Sequence, residues 1–221
     1  MVLDLSFGKR CYDFLGSHRH LYRSIRWGVC LGREDYLQAR AISKLAPDPG
    51  DTVLDLACGT GVNFPDLLAR VGPSGRVIAV DYSDGMLEAA RAKARNNGWR
   101  NVEFIQTDAT ILDLPRESLD GALCTFGLSA MPGEREALER VARALKPGAG
   151  FVSLDAKAFT GQARVLNPVL GPVFKYTTNW NYHKNVVESL REIFGELDVE
   201  EYNGGCNYLA VGVRRSGSSS R

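Results

Sequence analysis

From residue 50 onward, short apolar runs alternate with stretches whose apolar positions recur at helical spacing. Residues 52–57 form an apolar run between Pro49-Gly50 and Gly59, the mark of a buried strand. Residues 62–71 then read as a helix, closed by the turn Gly72-Pro73-Ser74-Gly75. A second strand is predicted at 76–80. Ser83 caps a helix with Met86, Leu87, Ala90 and Ala94 on one stripe, and Asn97-Gly98 stops it. Strands follow at 102–106 and 119–125. Pro132 opens a helix whose stripe is Leu138, Val141, Ala142 and Leu145, Pro147-Gly148 ends it, and a fifth strand is expected at 151–156. Such alternation implies a parallel sheet covered by helices on both faces.

The last part of the chain breaks the alternation. After a helix at 186–194, strands at 197–202 and 207–213 are separated only by Asn203-Gly204-Gly205-Cys206. A link this short joins antiparallel strands, so the sheet is expected to finish in a hairpin. The expectation is therefore an α/β, Rossmann-like, doubly wound, seven-stranded and mostly parallel sheet. Residues 1–49 read as an N-terminal helical cap, and the polar, Ser-rich stretch 214–221 as a disordered tail.

Composition narrows the class. The 221 residues, 44% apolar and 24% charged, suit a globular domain with a sizeable core and exclude a coiled coil or a collagen-like repeat. No apolar run is long enough to span a membrane, and Asp4 followed by Lys9-Arg10 is the wrong order of charges for a signal peptide. Cysteines 11, 30, 58, 124 and 206 are odd in number and contain no C-x-x-C pair, which points to reduced thiols, a cytoplasmic setting and no metal site. The net charge of +1 argues against a nucleic-acid partner. Charge is concentrated locally: residues 9–33 hold six Lys or Arg against Asp13 alone, interleaved with Tyr12, Phe14, Leu21, Tyr22, Ile25 and Trp27. That mixture fits either a helix packed on the core with its charges in water or a helix lying on an anionic membrane surface.

The chemistry is concentrated after the first strand. There Ala57-Cys58-Gly59-Thr60-Gly61 places a Gly-x-Gly turn ahead of a helix N-terminus, where a ligand approaches the backbone closely. Asp81 follows Gly61 by twenty residues and ends the second strand, the place of an acid that accepts from a ribose diol. Asp108 follows the third strand and can accept from an adenine amino group in the same scheme. The dinucleotide pattern demands a third glycine, and Phe64 stands there, which counts against an NAD-dependent oxidoreductase.

The segments 55–61 (DLACGTG), Val80-Asp81-Tyr82-Ser83 with Met86, Gln106-Thr107-Asp108-Ala109, and Leu145-Lys146-Pro147-Gly148 resemble the class I S-adenosylmethionine (SAM)-dependent methyltransferases. The resemblance covers about residues 45–213 and is greatest to the ubiquinone/menaquinone-biosynthesis and phospholipid N-methyltransferase-like group. It implies one methyltransferase domain over 1–213: the cap, a SAM-binding core at 50–156, and an acceptor lid with the C-terminal hairpin at 157–213. It also implies SAM contacts at Asp55, Ala57, Gly59, Gly61, Asn63, Asp81, Tyr82, Met86, Asp108, Ala109, Thr125 and Phe126. Asp55 would orient the methionine ammonium, Asp81 the ribose, Tyr82 and Met86 the adenine, and Asp108 with Ala109 its edge. Met86 reads equally well as core packing.

Methyl transfer from a sulfonium needs alignment and exclusion of water, and for some acceptors a base. His183 and Tyr182, in the aromatic stretch 176–183, are the leading candidates for that base, followed by His20 in the cap. The expected reaction is methylation of an N or O atom on a small or amphiphilic acceptor, a phospholipid headgroup amine foremost. A quinone or natural-product acceptor is the alternative. A catalytically silent SAM-binding regulator remains a reading of another class. The cap is expected to bring peripheral membrane contact if the acceptor is a lipid.

Overall fold

The computed structural model describes residues 5–169, 172 and 184–215. Tyr182, His183 and the tail at 216–221 lie outside the described residues. Three helices come first, α1 (Leu5–Ser17), α2 (Arg19–Val29) and α3 (Glu34–Leu45). The parallel strands are β1 (Thr52–Leu56), β2 (Arg76–Asp81), β3 (Val102–Gln106), β4 (Leu119–Thr125) and β5 (Leu145–Ala156). Between them lie α4 (Phe64–Val71), α5 (Asp84–Asn96) and α6 (Glu134–Ala144). The chain ends with α7 (Val186–Phe194), β6 (Leu197–Tyr202) and β7 (Asn207–Val213).

The sheet order is β3-β2-β1-β4-β5-β7-β6. β1 pairs in parallel with β2 (Val53↔Val77) and with β4 (Val53↔Gly121), so the strand order reverses beside it. In open α/β sheets this reversal creates a crevice at the carboxyl ends of the strands, where ligands bind. β7 inserts antiparallel between β5 (Ser153↔Ala210) and β6 (Val199↔Ala210), which is the expected terminal hairpin. The seven-stranded, mostly parallel Rossmann-like sheet is thus as the sequence pattern implies.

Both sheet faces are covered. On one, Leu138, Val141, Leu190 and Phe194 from α6 and α7 pack on Phe151 and Tyr208, and the Phe151 and Phe194 rings stack at 5.3 Å. On the other, Leu37 and Ile42 of α3 join Phe64, Leu67 and Leu87 of α4 and α5 over β1, β2 and β5. α3 is therefore part of a sheet-covering layer, fixed to β6 by the Arg40–Glu200 pair at 2.6 Å. α1 rests instead on the start of α5. Asp13 Oδ1 accepts from Ser83 Oγ at 2.6 Å and from Gly85 N at 3.2 Å. A methyl group at Gly16 would lie 2.5 Å from the Gly85 carbonyl carbon, so two glycines permit the close approach of these helices.

Three boundaries differ from the pattern by two residues or more. α4 begins at Phe64 rather than 62, because the turn with positive φ at Gly59 and Gly61 runs through Asn63. α6 begins at Glu134, since Gly133 adopts φ +72 at its N-cap and separates Pro132 from the helix. β5 already begins at Leu145, paired with Leu119 before a register shift, so Pro147-Gly148 lies within it.

Candidate active site

β1 delivers the chain into a turn at the reversal point. Ala57 (φ +54), Gly59 (φ +55) and Gly61 (φ +70) all take left-handed backbone there. Gly59 N donates to Asp81 Oδ2 at 2.8 Å, and Ser83 N donates to Asp81 Oδ1 at 2.9 Å. One carboxylate thus ties together the two loops that leave β1 and β2. A methyl group at Gly59 would stand 3.7 Å from Tyr22 Oη and 4.0 Å from Met86 Sδ, in the space a ligand needs. Gly61 has a different reason. A methyl group there would meet the Phe64 ring at 2.4 Å, and Phe64 itself packs edge-on to Trp99 and Phe104.

The crevice holds a cavity of about 770 Å³, counted to its open mouth. Ala57, Gly59, Asp81, Tyr82, Met86, Asp108, Ala109, Thr125 and Phe126 line it, nine of the twelve residues expected at the cofactor. Asp55, Gly61 and Asn63 do not. Asp55 and Asn63 sit behind the wall, where Asn63 Nδ2 bridges Asp55 Oδ1 and Thr125 Oγ1, each at 3.0 Å. Asp55 Oδ2 and Asn63 Oδ1 are buried without partners. Met86 lines the cavity while only 1% exposed, so its side chain belongs to the core as well as to the cavity wall. Asp108 also caps the short turn Ala109–Ile111, accepting from Thr110 N at 2.9 Å.

Burial sets the charge of the two acids. It pushes Asp81 up to about 6 against the backbone N–H groups of Ser83 and Gly59 that favour its ionised form. It pushes Asp55 up to about 7, with the Asn63 amide opposing and the nearby Asp81 carboxylate reinforcing the rise.

A second cavity, about 470 Å³, adjoins the first. The two share Tyr12, Tyr22, Arg26, Phe126 and Ala130 on their walls. The second is completed by Ile25 and Val29 of α2, by Cys30 just after it, and by Ser129, Asp155 and Ala156. Asp155 is fully committed, accepting from Ser129 N at 2.9 Å, Ser129 Oγ at 2.6 Å and Ala156 N at 2.7 Å. Burial raises its pKa. Burial also raises the Tyr12 and Tyr22 phenols, which therefore stay protonated at neutral pH.

Of the candidate bases, His20 is exposed and lines neither cavity, so α2 presents it to solvent rather than to the site. His183 and Tyr182 lie outside the described residues. The described chain resumes at Lys184, whose ammonium pairs with Glu134 at 2.8 Å and donates to the Met131 carbonyl beside the first cavity. Tyr22 and Arg26 were not among the expected site residues. Their signal is periodicity: Tyr22, Ile25, Arg26 and Val29 fall on one helical face.

The sheet order, the reversal-point crevice and the acid-tethered glycine turn form the class I methyltransferase architecture, which takes an adenosine cofactor at this crevice. Residues 53–148 match the description of a methyltransferase domain. A demethylmenaquinone methyltransferase of Lactococcus lactis is 34% identical over 194 residues, covering 88% of this chain and 72% of that one. A ubiquinone/menaquinone biosynthesis C-methyltransferase UbiE of Enterobacter is 34% identical over 75% of this chain, which spans 60% of that relative's length. A SAM-dependent methyltransferase from Aquifex aeolicus shares the fold at a TM-score of 0.63 and 22% identity, over 80% of this chain and 89% of its own. The chain belongs to the class I SAM-dependent methyltransferases of the ubiquinone/menaquinone type. SAM is its cofactor. The first cavity fits it by size, by the open space over Gly59 and by the Asp81 carboxylate at the end of β2.

Proposed function

We propose that the protein methylates a ring carbon of a hydroxylated, quinol-type aromatic acceptor. SAM is held in the first cavity and the acceptor in the second. Asp81 takes the ribose hydroxyls, Tyr82 and Met86 flank the adenine, and Asp108 with Ala109 reads its edge. The Gly59 turn takes the methionine portion. Thr125 and Phe126 would lie beside the cofactor, and Asp55 and Asn63 brace the wall from behind. Once bound, SAM would supply an electrophilic methyl to the ring carbon, its sulfur keeping the electron pair of the broken S–CH3 bond while the ring proton passes to water.

The observation that carries this reading is the charge between the cavities. Arg26 is a buried cation on the wall of both. It repels a protonated headgroup amine and attracts an ionised ring hydroxyl, whose charge enriches the neighbouring ring carbon. The similarity to quinone C-methyltransferases points the same way and favours the quinone alternative over the phospholipid amine. The outer faces of α1 and α2 expose Phe14, Leu21 and Trp27 beside Arg10 and Arg23, a surface suited to meeting an amphiphilic acceptor at an anionic membrane. Among the described residues, no helix is long and apolar enough to cross one.

The test uses SAM with a carbon-13 methyl, a dihydroxynaphthalene acceptor and, separately, phosphatidylethanolamine vesicles. The expected product signal is a methyl on aromatic carbon. A methoxy or N-methyl signal instead would overturn the reading.

A further inference from the structure

The guanidinium of Arg26 is incompletely used by the protein. It is 6% exposed, on the face of α2 that turns inward. Nε lies 2.8 Å from Glu34 Oε1, while Nη2 is buried with no hydrogen-bond partner. Its carbon sits 5.6 Å from the Tyr22 ring centroid and 5.4 Å from that of Phe126, so two aromatic faces hold the group in place. Burial works against its charge, but Tyr22 and Glu34 outweigh that and keep it firmly protonated. Cys30, just past the end of α2, also acts on it, as do Asp55 of β1 and Lys93 of α5 at longer range. A buried cationic N–H without a partner is costly to maintain unless a ligand completes it. The other charged group on the second cavity, Asp155, already accepts three hydrogen bonds and needs no such completion.

We propose that Arg26 is the anion clamp of the acceptor chamber, binding the ionised hydroxyl oxygen of an aromatic acceptor through its free Nη2. This rests on the reading of the second cavity as the acceptor site. The clamp lowers the energy of the oxyanion in a water-poor chamber and aligns the ring with the first cavity, where Phe126 and Arg26 form the shared wall. It makes an acidic ring hydroxyl the feature by which acceptors are selected. A quaternary or protonated amine finds a repelling charge at the same point.

The clamp is tested without turnover. 4-Nitrophenol, whose phenolate absorbs visibly, is titrated with pH in the presence of the full-length protein and S-adenosylhomocysteine. Bound to the wild type, its ionisation midpoint should fall by about one pH unit or more. Arg26→Gln should abolish that shift and Arg26→Lys should restore part of it. S-adenosylhomocysteine binding, measured by calorimetry, should persist in both variants and so show that they fold. An unshifted midpoint in the wild type overturns the proposal. So does a tenfold or greater loss of S-adenosylhomocysteine affinity in Arg26→Gln with the phenolate shift intact, which assigns the cation to the cofactor carboxylate. A shifted midpoint together with failure to methylate any dihydroxyarene leaves the clamp standing and removes the ring-methylation reading.

Discussion

At Gly61 the side chain is excluded by a neighbour in the core rather than by a ligand. A methyl there would overlap the Phe64 ring and hold a left-handed φ of +70. Gly61→Ala is therefore expected to cost about 2–4 kcal/mol through overpacking and backbone strain. For a chain of this size that lowers Tm by about 5–15 °C. An unchanged melting curve would show that Phe64 has room to move. Gly59 makes the contrast: its missing side chain faces open cavity, so the two glycines of one motif serve different ends. The sequence motif shows both glycines and the acid that follows, because turn chemistry and strand ends are local. It does not say which glycine meets a ligand, since that depends on where Phe64 and Met86 come to rest.

Helix α1 depends on a few contacts at its landing site. Asp13 caps the start of α5 through Ser83 and Gly85, and its pairing with Lys9 at 3.0 Å is exposed and weak. Removing the carboxylate in Asp13→Ala should cost about 1 kcal/mol, as for a lost helix cap. Most of that loss should be felt by α1 itself. Hydrogen exchange is expected to accelerate across residues 9–17 while β1 and β4 stay protected. Equal protection in the variant would mean that glycine-to-glycine packing alone holds the helix. At this scale the strands are legible because each is a short apolar run bounded by Gly, Pro or Asn. The inner face of α2 is harder to read: Arg26 counts as one more basic residue until Tyr22, Ile25 and Val29 are seen to share its side. Which wall that face completes is set by contacts between residues about a hundred positions apart, such as Arg26 with Phe126.

The whole molecule should respond to pH through its buried acids. Asp81 and Asp55 hold their protons to about 6 and about 7, against 3.8 for a free side chain. The folded, ligand-free state therefore binds more protons than the unfolded chain between about pH 4 and pH 7. These two groups favour folding at the acid end of that window, and the benefit is lost as pH rises through the folded values. Denaturation midpoints for Asp81→Asn and Asp55→Asn should accordingly vary less with pH over this range than those of the wild type. SAM affinity of the wild type should move the other way, strengthening from pH 5.5 to 7.5 as Asp81 ionises. A wild-type pH slope equal to that of both variants would place the titration elsewhere.

The position of β7 also bears on how the protein is made. Residues 207–213 form the last of the described strands, yet they sit inside the sheet, between β5 and β6. Among the described residues, β6 pairs with β7 and with no other strand. Until that segment has emerged from the ribosome, β5 shows a bare edge and β6 has no strand to pair with. A nascent chain at this stage exposes two unpaired strands, the kind of surface on which chaperones act and on which stalled chains stick to one another.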